Sequence, residues 1–284
     1  MTAFYKKEVN KMKREEFIRE KMQEHWDYLM LHTNYEVVAI FLQGSQNYGT
    51  DLYTDEYCSD VDTKAIILPT LDKIVNGSAP TSYTHVMPDN SHIDIKDIRA
   101  MVEMWEKANI SYLELLYTDY YFVNPKYADF VQQLRDMRDD VAKMHVNQVL
   151  RCIKGMSGNK IKALEHPYPT LIDKIEKYGY DSKQLLHIVR ITDFTKQFLS
   201  GTPVKECYSP KKGTLKFISK IRKYDYSLEE ARRIANKYDK ATVKLVDDYV
   251  HSHPDDVNSN TVSMLHSIKA DMIRYALKQE LMEE

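Results

Sequence analysis

A Gly-Ser pair at the end of one apolar run, followed by an Asp-x-Asp at the start of the next, constrains this chain more than any other feature. Val37 to Leu42 is apolar and leads into Gln43-Gly44-Ser45. After a polar loop, Ser59-Asp60-Val61-Asp62-Thr63 opens the apolar run Ala65 to Leu68. Two short apolar runs separated by turn residues predict strands near 37–43 and 61–68. In a strand, residues i and i+2 point to one face, so Asp60 and Asp62 project side by side. At ~4 Å and an effective dielectric of about 20, two such charges repel by roughly 4 kcal/mol. The pair stays ionised most easily around a cation. Hard oxygen ligands with room for water suit Mg²⁺, and Mg²⁺ beside phosphates points to phosphoryl or nucleotidyl transfer.

A third carboxylate follows. His92-Ile93-Asp94-Ile95-Lys96 alternates apolar and polar, which predicts a strand over 91–96 with Ile93 and Ile95 in the core and Asp94 on the polar face. A lone Asp-x-Asp would suit a solvated loop equally well. The Gly-Ser turn before it and the strand-borne Asp after it favour a built site.

This order of motifs resembles the DNA polymerase beta-like nucleotidyltransferase superfamily. The later segments Asn109 to Leu116, Tyr178 to Lys183, His187, Arg190 and Leu199-Ser200-Gly201 are similar to a branch of it: the bacterial and phage predicted nucleotidyltransferases named for an RNA repair pathway. The similarity runs from about Glu36 to Val204. The resemblance implies that Gly44 and Ser45 touch a triphosphate. It implies that Asp60 and Asp62 hold two metal ions (Mg²⁺ or Mn²⁺), and that Asp94 completes one metal site and orients the attacking hydroxyl. The loop between Ser45 and Asp60 is a little longer than is usual there.

Lys183, His187 and Arg190 recur at i, i+4 and i+7 and share one helix face. The apolar residues flanking them turn the stripe toward a cleft or solvent. The resemblance assigns Lys183 and Arg190 to the triphosphate, for which an Arg offers bidentate contacts. Lys160 and Lys162 read as a solvated helix, and Tyr117, Tyr120, Tyr121 and Phe122 as core. Ser45 has no base beside it in the sequence, so phosphate contact is favoured over acyl chemistry.

Charge separates the chain into two parts. From Lys143 to Lys240 there are 21 Lys and Arg against 10 Asp and Glu, an excess of eleven positives in a chain of net charge −2. A basic half beside an acidic one suits an enzyme that grips a polyanion, here expected to be RNA. Solvated surface helices would show the same excess.

Residues 10–32 carry Phe17, Met22, Trp26, Leu29 and Met30 at helical intervals and predict an amphipathic helix. Residues 76–91 read as a loop. After Ile98 the pattern is helical, with breaks expected at Pro125 and at Gly155 to Gly158. The fold class is therefore α+β: a catalytic core over 1–124 with a small mixed sheet, then a helical, basic substrate-binding lobe over 125–284. No apolar stretch approaches the ~20 residues needed to cross a bilayer. Three scattered cysteines, Cys58, Cys152 and Cys207, have no zinc spacing and fit a reducing, cytoplasmic setting.

The expected reaction is transfer of NMP from an NTP to a hydroxyl, expected on an RNA or tRNA 3′ end. A small-molecule or protein acceptor, or cyclic nucleotide synthesis, uses the same carboxylates. A non-catalytic nucleotide or RNA sensor would keep the fold, but three intact carboxylates argue against it.

Overall fold

Residues 3–51 and 59–283 are described by the computed structural model. Cys58 lies outside them, and Cys152 and Cys207 are free thiols. The chain opens with α1 (Ala3–His32), β1 (Val37–Gln43), the short α2 (Ser45–Tyr48), β2 (Asp62–Ile67), α3 (Leu71–Val75), β3 (Ser82–Val86), β4 (His92–Asp97), α4 (Ile98–Glu106), α5 (Ile110–Leu113) and β5 (Tyr121–Val123). Helices follow to the end: α6 (Ala128–Asp136), α7 (Arg138–Lys143), α8 (Val146–Ala163), α9 (Ile172–Tyr178), α10 (Ser182–Leu199), α11 (Val204–Cys207), α12 (Lys212–Arg222), α13 (Leu228–Ser252) and α14 (Ser259–Glu283). The protein is α+β, a five-stranded mixed sheet with many helices.

Strand order is β3-β4-β2-β1-β5. β2 and β4 pair in parallel, and the other neighbours pair antiparallel. Both faces of the sheet centre are covered, which is why β1 reads as one continuous apolar run. Ile40, Leu42, Ala65, Ile67, Ile93 and Ile95 face α1 and pack on its Ile18, Met22 and Leu29. Each of the Ile, Leu and Met side chains, fully buried, contributes ~1.5–3 kcal/mol. Met30, expected on the apolar face of α1, is exposed instead. The alternate residues Ala39, Phe41 and Ile66 face the other way, onto Met101, Val102 and Trp105 of α4. By the period of two, Asp62, Lys64 and Asp94 lie on that second face. The same cluster continues to Leu265 and Met272 of α14, so one core spans residues on both sides of Pro125.

Two elements depart from the sequence reading. Residues 82–86 form β3, where a loop was expected. Four of its five side chains are exposed and the fifth is half-buried, so it carries no apolar alternation to reveal it. It is an edge strand held by pairing to β4. α8 passes straight through Gly155 and Gly158, where a break was expected. Its packing on α10 and α13, with Ser157 Oγ donating to Asp239 at 2.6 Å, offsets the cost of about 1 kcal/mol for each internal glycine. Among the described residues, no helix is long and apolar enough to cross a membrane.

Candidate active site

β1 ends at Gln43, and the chain turns sharply into α2 through Gly44, whose φ is 81° and ψ −147°. Essentially only glycine adopts this region. A Cβ placed there would meet nothing within 4 Å. Gly44→Ala is therefore expected to cost about 1–3 kcal/mol from backbone strain alone, measured as a shift in the urea unfolding midpoint. An unchanged midpoint would mean that the turn relaxes freely.

The turn delivers Ser45 to a cavity of about 500 Å³ between the sheet and α10. Asp60 and Asp62 line the same cavity from the entry to β2, and Lys183 lines it from the first turn of α10. α10 starts where Asp181, itself buried, accepts from the Lys183 N–H at 2.9 Å, an N-cap that fixes where Lys183 emerges. On the opposite face of the sheet, His25 Nδ1 pairs with Thr63 Oγ1 at 2.8 Å and its Nε2 with Ser91 Oγ at 2.9 Å, tying α1 to β2 and to the start of β4.

The electrostatics suit a cation. Partial burial pushes the Asp60 carboxyl up, the charge of Asp62 adds to this, and Lys183 pulls it back. Asp62 Oδ1 accepts from the His92 backbone N–H at 2.9 Å. Asp60 and Asp62 are the hard oxygen donors that would hold a divalent cation here, since Mg²⁺ takes one or two carboxylates and completes its shell with waters and phosphate oxygens.

Asp94 is not brought to the pair. β2 and β4 are registered with Lys64 opposite Asp94, so Asp94 sits deeper along the sheet than Asp62 and does not line the cavity. Its Oδ2 accepts from Tyr112 O–H at 2.7 Å, and its carboxylate lies 3.6 Å from Lys96 Nζ and 3.9 Å from Lys64 Nζ. Among the described residues, no group of three or more His, Cys, Asp or Glu side chains is placed to hold a metal ion.

The α10 stripe is also divided. Lys183 is exposed at the cavity, whereas Arg190 is only 6% exposed, with its guanidinium carbon 3.7 Å from the centre of the Tyr48 ring. His187 lies between them. Burial, then the charges of Arg190, Lys160, Lys183 and Arg222, holds it well below its ordinary value, so it is neutral. Lys160, expected on a solvated face, lines the cavity instead, and burial lowers its pKa.

Glu114 was not singled out from the sequence. It is buried at the cavity wall, and its Oε1 accepts weakly from the Gly44 N–H at 3.4 Å. The amide of Gly44, a residue expected to touch the triphosphate, is thus turned toward Glu114. Burial pushes the Glu114 carboxyl up to about 8, against the pull of Arg190 and of that N–H. The one signal available was a carboxylate inside the apolar run Leu113 to Leu116. A second cavity, about 840 Å³, shares Tyr48 and Glu114 but contains neither Ser45 nor the Asp pair.

No family model matches the chain, and no curated protein matches it. Among solved structures, a nucleotidyltransferase-like protein from Exiguobacterium sibiricum 255-15 is similar to it at 11% sequence identity and a TM-score of 0.30, over 78% of this chain and 72% of that one.

Proposed function

We propose that the chain is a divalent-cation-dependent nucleotidyltransferase that moves NMP from an NTP to a hydroxyl at an RNA 3′ end, such as that of a tRNA. The observation that carries this reading is the convergence of Ser45, Asp60, Asp62 and Lys183 on one cavity. A Mg²⁺ or Mn²⁺ held by Asp60 and Asp62 would neutralise charge on the phosphates when bound. Ser45 and Lys183 hold the triphosphate, the hydroxyl from the turn and the ammonium from the opposite wall. The acceptor hydroxyl attacks the α-phosphorus in line, a new P–O bond forms, and the bond to pyrophosphate breaks. The hydroxyl proton leaves toward Asp60 at the exposed mouth. Arg190, stacked on Tyr48, positions α2 and the Gly44 turn rather than gripping the nucleotide.

Incubation of the chain with labelled NTPs, Mg²⁺ and total RNA tests the reading. Labelled RNA is the expected product. A labelled small product would keep the transferase and replace the acceptor, and no product would remove the activity.

The RNA acceptor rests on the excess of eleven positive charges between Lys143 and Lys240. With roughly six phosphate contacts, RNA affinity is expected to fall on the order of 10³-fold between about 50 and about 200 mM salt, as counterion release requires. Fluorescence anisotropy with a labelled RNA reads this directly. A flat response would leave these lysines as solvation and point to a small acceptor.

A further inference from the structure

We propose that this site runs on one divalent cation, and that the ammonium of Lys64 supplies the second positive charge that a carboxylate-held second ion would otherwise bring. This rests on the nucleotidyltransferase reading above.

The register of the sheet carries the argument. Continued by one alternation toward the cavity, the pairing of Lys64 with Asp94 places His92 beside Asp62. The neighbour of Asp62 therefore offers a backbone N–H and an imidazole, which meet Asp62 Oδ1 at 2.9 and 3.3 Å. The side chain at position 92 offers no oxygen ligand. The nearest candidate on β4, Asp94, already receives Tyr112 and lies beside two ammoniums. A dication drawn to Asp94 would meet both of those charges.

Lys64 has the position for the substitution. It follows Asp62 by two residues on β2, so the two share a face, and it lines the cavity although it is only 6% exposed. Its Nζ donates to Gln43 Oε1 and lies 4.6 Å from the centre of the Tyr112 ring. These contacts hold the ammonium between Asp94 and the cavity. Lys96 is tied away from the cavity, its Nζ donating to Ser82 Oγ of β3 at 2.6 Å. A fixed ammonium beside a metal-bound phosphate serves as a point-charge contact.

The test is a Mn²⁺ count on the full chain with an α,β-methylene NTP analogue, by equilibrium dialysis and electron paramagnetic resonance. Two ions about 3.5–4 Å apart give a coupled spectrum, and a single ion does not. The expected result is one Mn²⁺ per bound analogue with an uncoupled spectrum, unchanged in Asp94→Asn. Lys64→Met is expected to weaken analogue binding at least tenfold, with Lys64→Arg recovering part of the loss. A coupled pair in the parent chain that disappears in Asp94→Asn would overturn this inference and leave the transferase intact. Parent-like analogue binding by Lys64→Met would overturn the role of Lys64. Absence of both Mn²⁺ and analogue binding would remove the transferase reading itself. If Lys64→Met does not fold, the counts on the parent and on Asp94→Asn still decide.

Discussion

Asp62→Asn is expected to lower turnover on the order of 10³-fold, the scale for losing one fixed electrostatic group at a reacting centre, while the melting temperature in metal-free buffer stays unchanged. The asparagine keeps the side-chain oxygen that accepts from the His92 N–H, so the entry to β2 retains its shape. Only the charge is lost. Asp60→Asn should act alike on turnover and differently on stability. Burial and the neighbouring charge of Asp62 hold the Asp60 carboxyl above its ordinary value of 3.8. The folded state therefore keeps this proton after the unfolded chain has lost it, and stability falls as pH rises from about 4 upward. Asparagine removes that loss. Asp60→Asn should match the parent near pH 3.5 and melt at an equal or higher temperature at pH 7. Full turnover in either variant would remove the pair from the chemistry. A lower melting temperature for Asp60→Asn at pH 7 would show that the pair is a structural contact.

Much of the sheet could be read from one dimension because β1, β2 and β4 are buried on at least one face and carry that burial as apolar runs or alternation. β3 escaped for the opposite reason. Its side chains are mostly in water, and what holds it is backbone pairing to β4, which leaves no trace in side-chain type. The same distinction governs the site. The period of two correctly places Asp94 on the face of the sheet that carries Asp62. It cannot say how far β4 slides along β2, and that register sets Asp94 against Lys64. Face is a local property, whereas register is fixed by the whole sheet and by ties such as His25 to Thr63 and Ser91.

Helical spacing has a similar limit. Lys183, His187 and Arg190 do share the cavity, as their spacing predicts. The depth of each along the groove depends on what packs above it. Tyr48 of α2 covers Arg190 but not Lys183. Arg190, which reads as a ligand for phosphate, lines the cavity yet lies buried against Tyr48, and Glu114, whose charge acts on it, looks from the sequence like a stray charge in an apolar run.

Arg190 and Glu114 give the largest stability effect expected in the chain. Among the described residues, neither Glu114 Oε2 nor Arg190 Nε has a hydrogen-bond partner. What balances the two buried groups is their mutual attraction, the Tyr48 ring and one long contact from Gly44. Once Glu114 ionises, above pH 8, removing Arg190 leaves that buried charge uncompensated at a cost of ~3–5 kcal/mol, so Arg190→Met is expected to lower the melting temperature there by roughly 6–15 °C. The pH dependence identifies the cause. Glu114 titrates at about 8 in the fold against an ordinary 4.5, so the folded chain holds its proton longer than the unfolded one. Stability contributed by Glu114 is greatest below pH 4.5 and declines as pH rises toward 8. Without Arg190 the carboxyl rises further, and the decline continues to higher pH. The gap between parent and Arg190→Met should therefore be small at pH 5 and widest above pH 8. Adding Glu114→Leu to Arg190→Met should flatten the variant across that range and restore most of the loss, because no buried carboxyl then remains to ionise. Chemical denaturation at pH 5, 7 and 8.5 measures all three chains. An equal loss at every pH, unrelieved by Glu114→Leu, would assign the effect to lost packing on Tyr48 and leave Glu114 without a part in it.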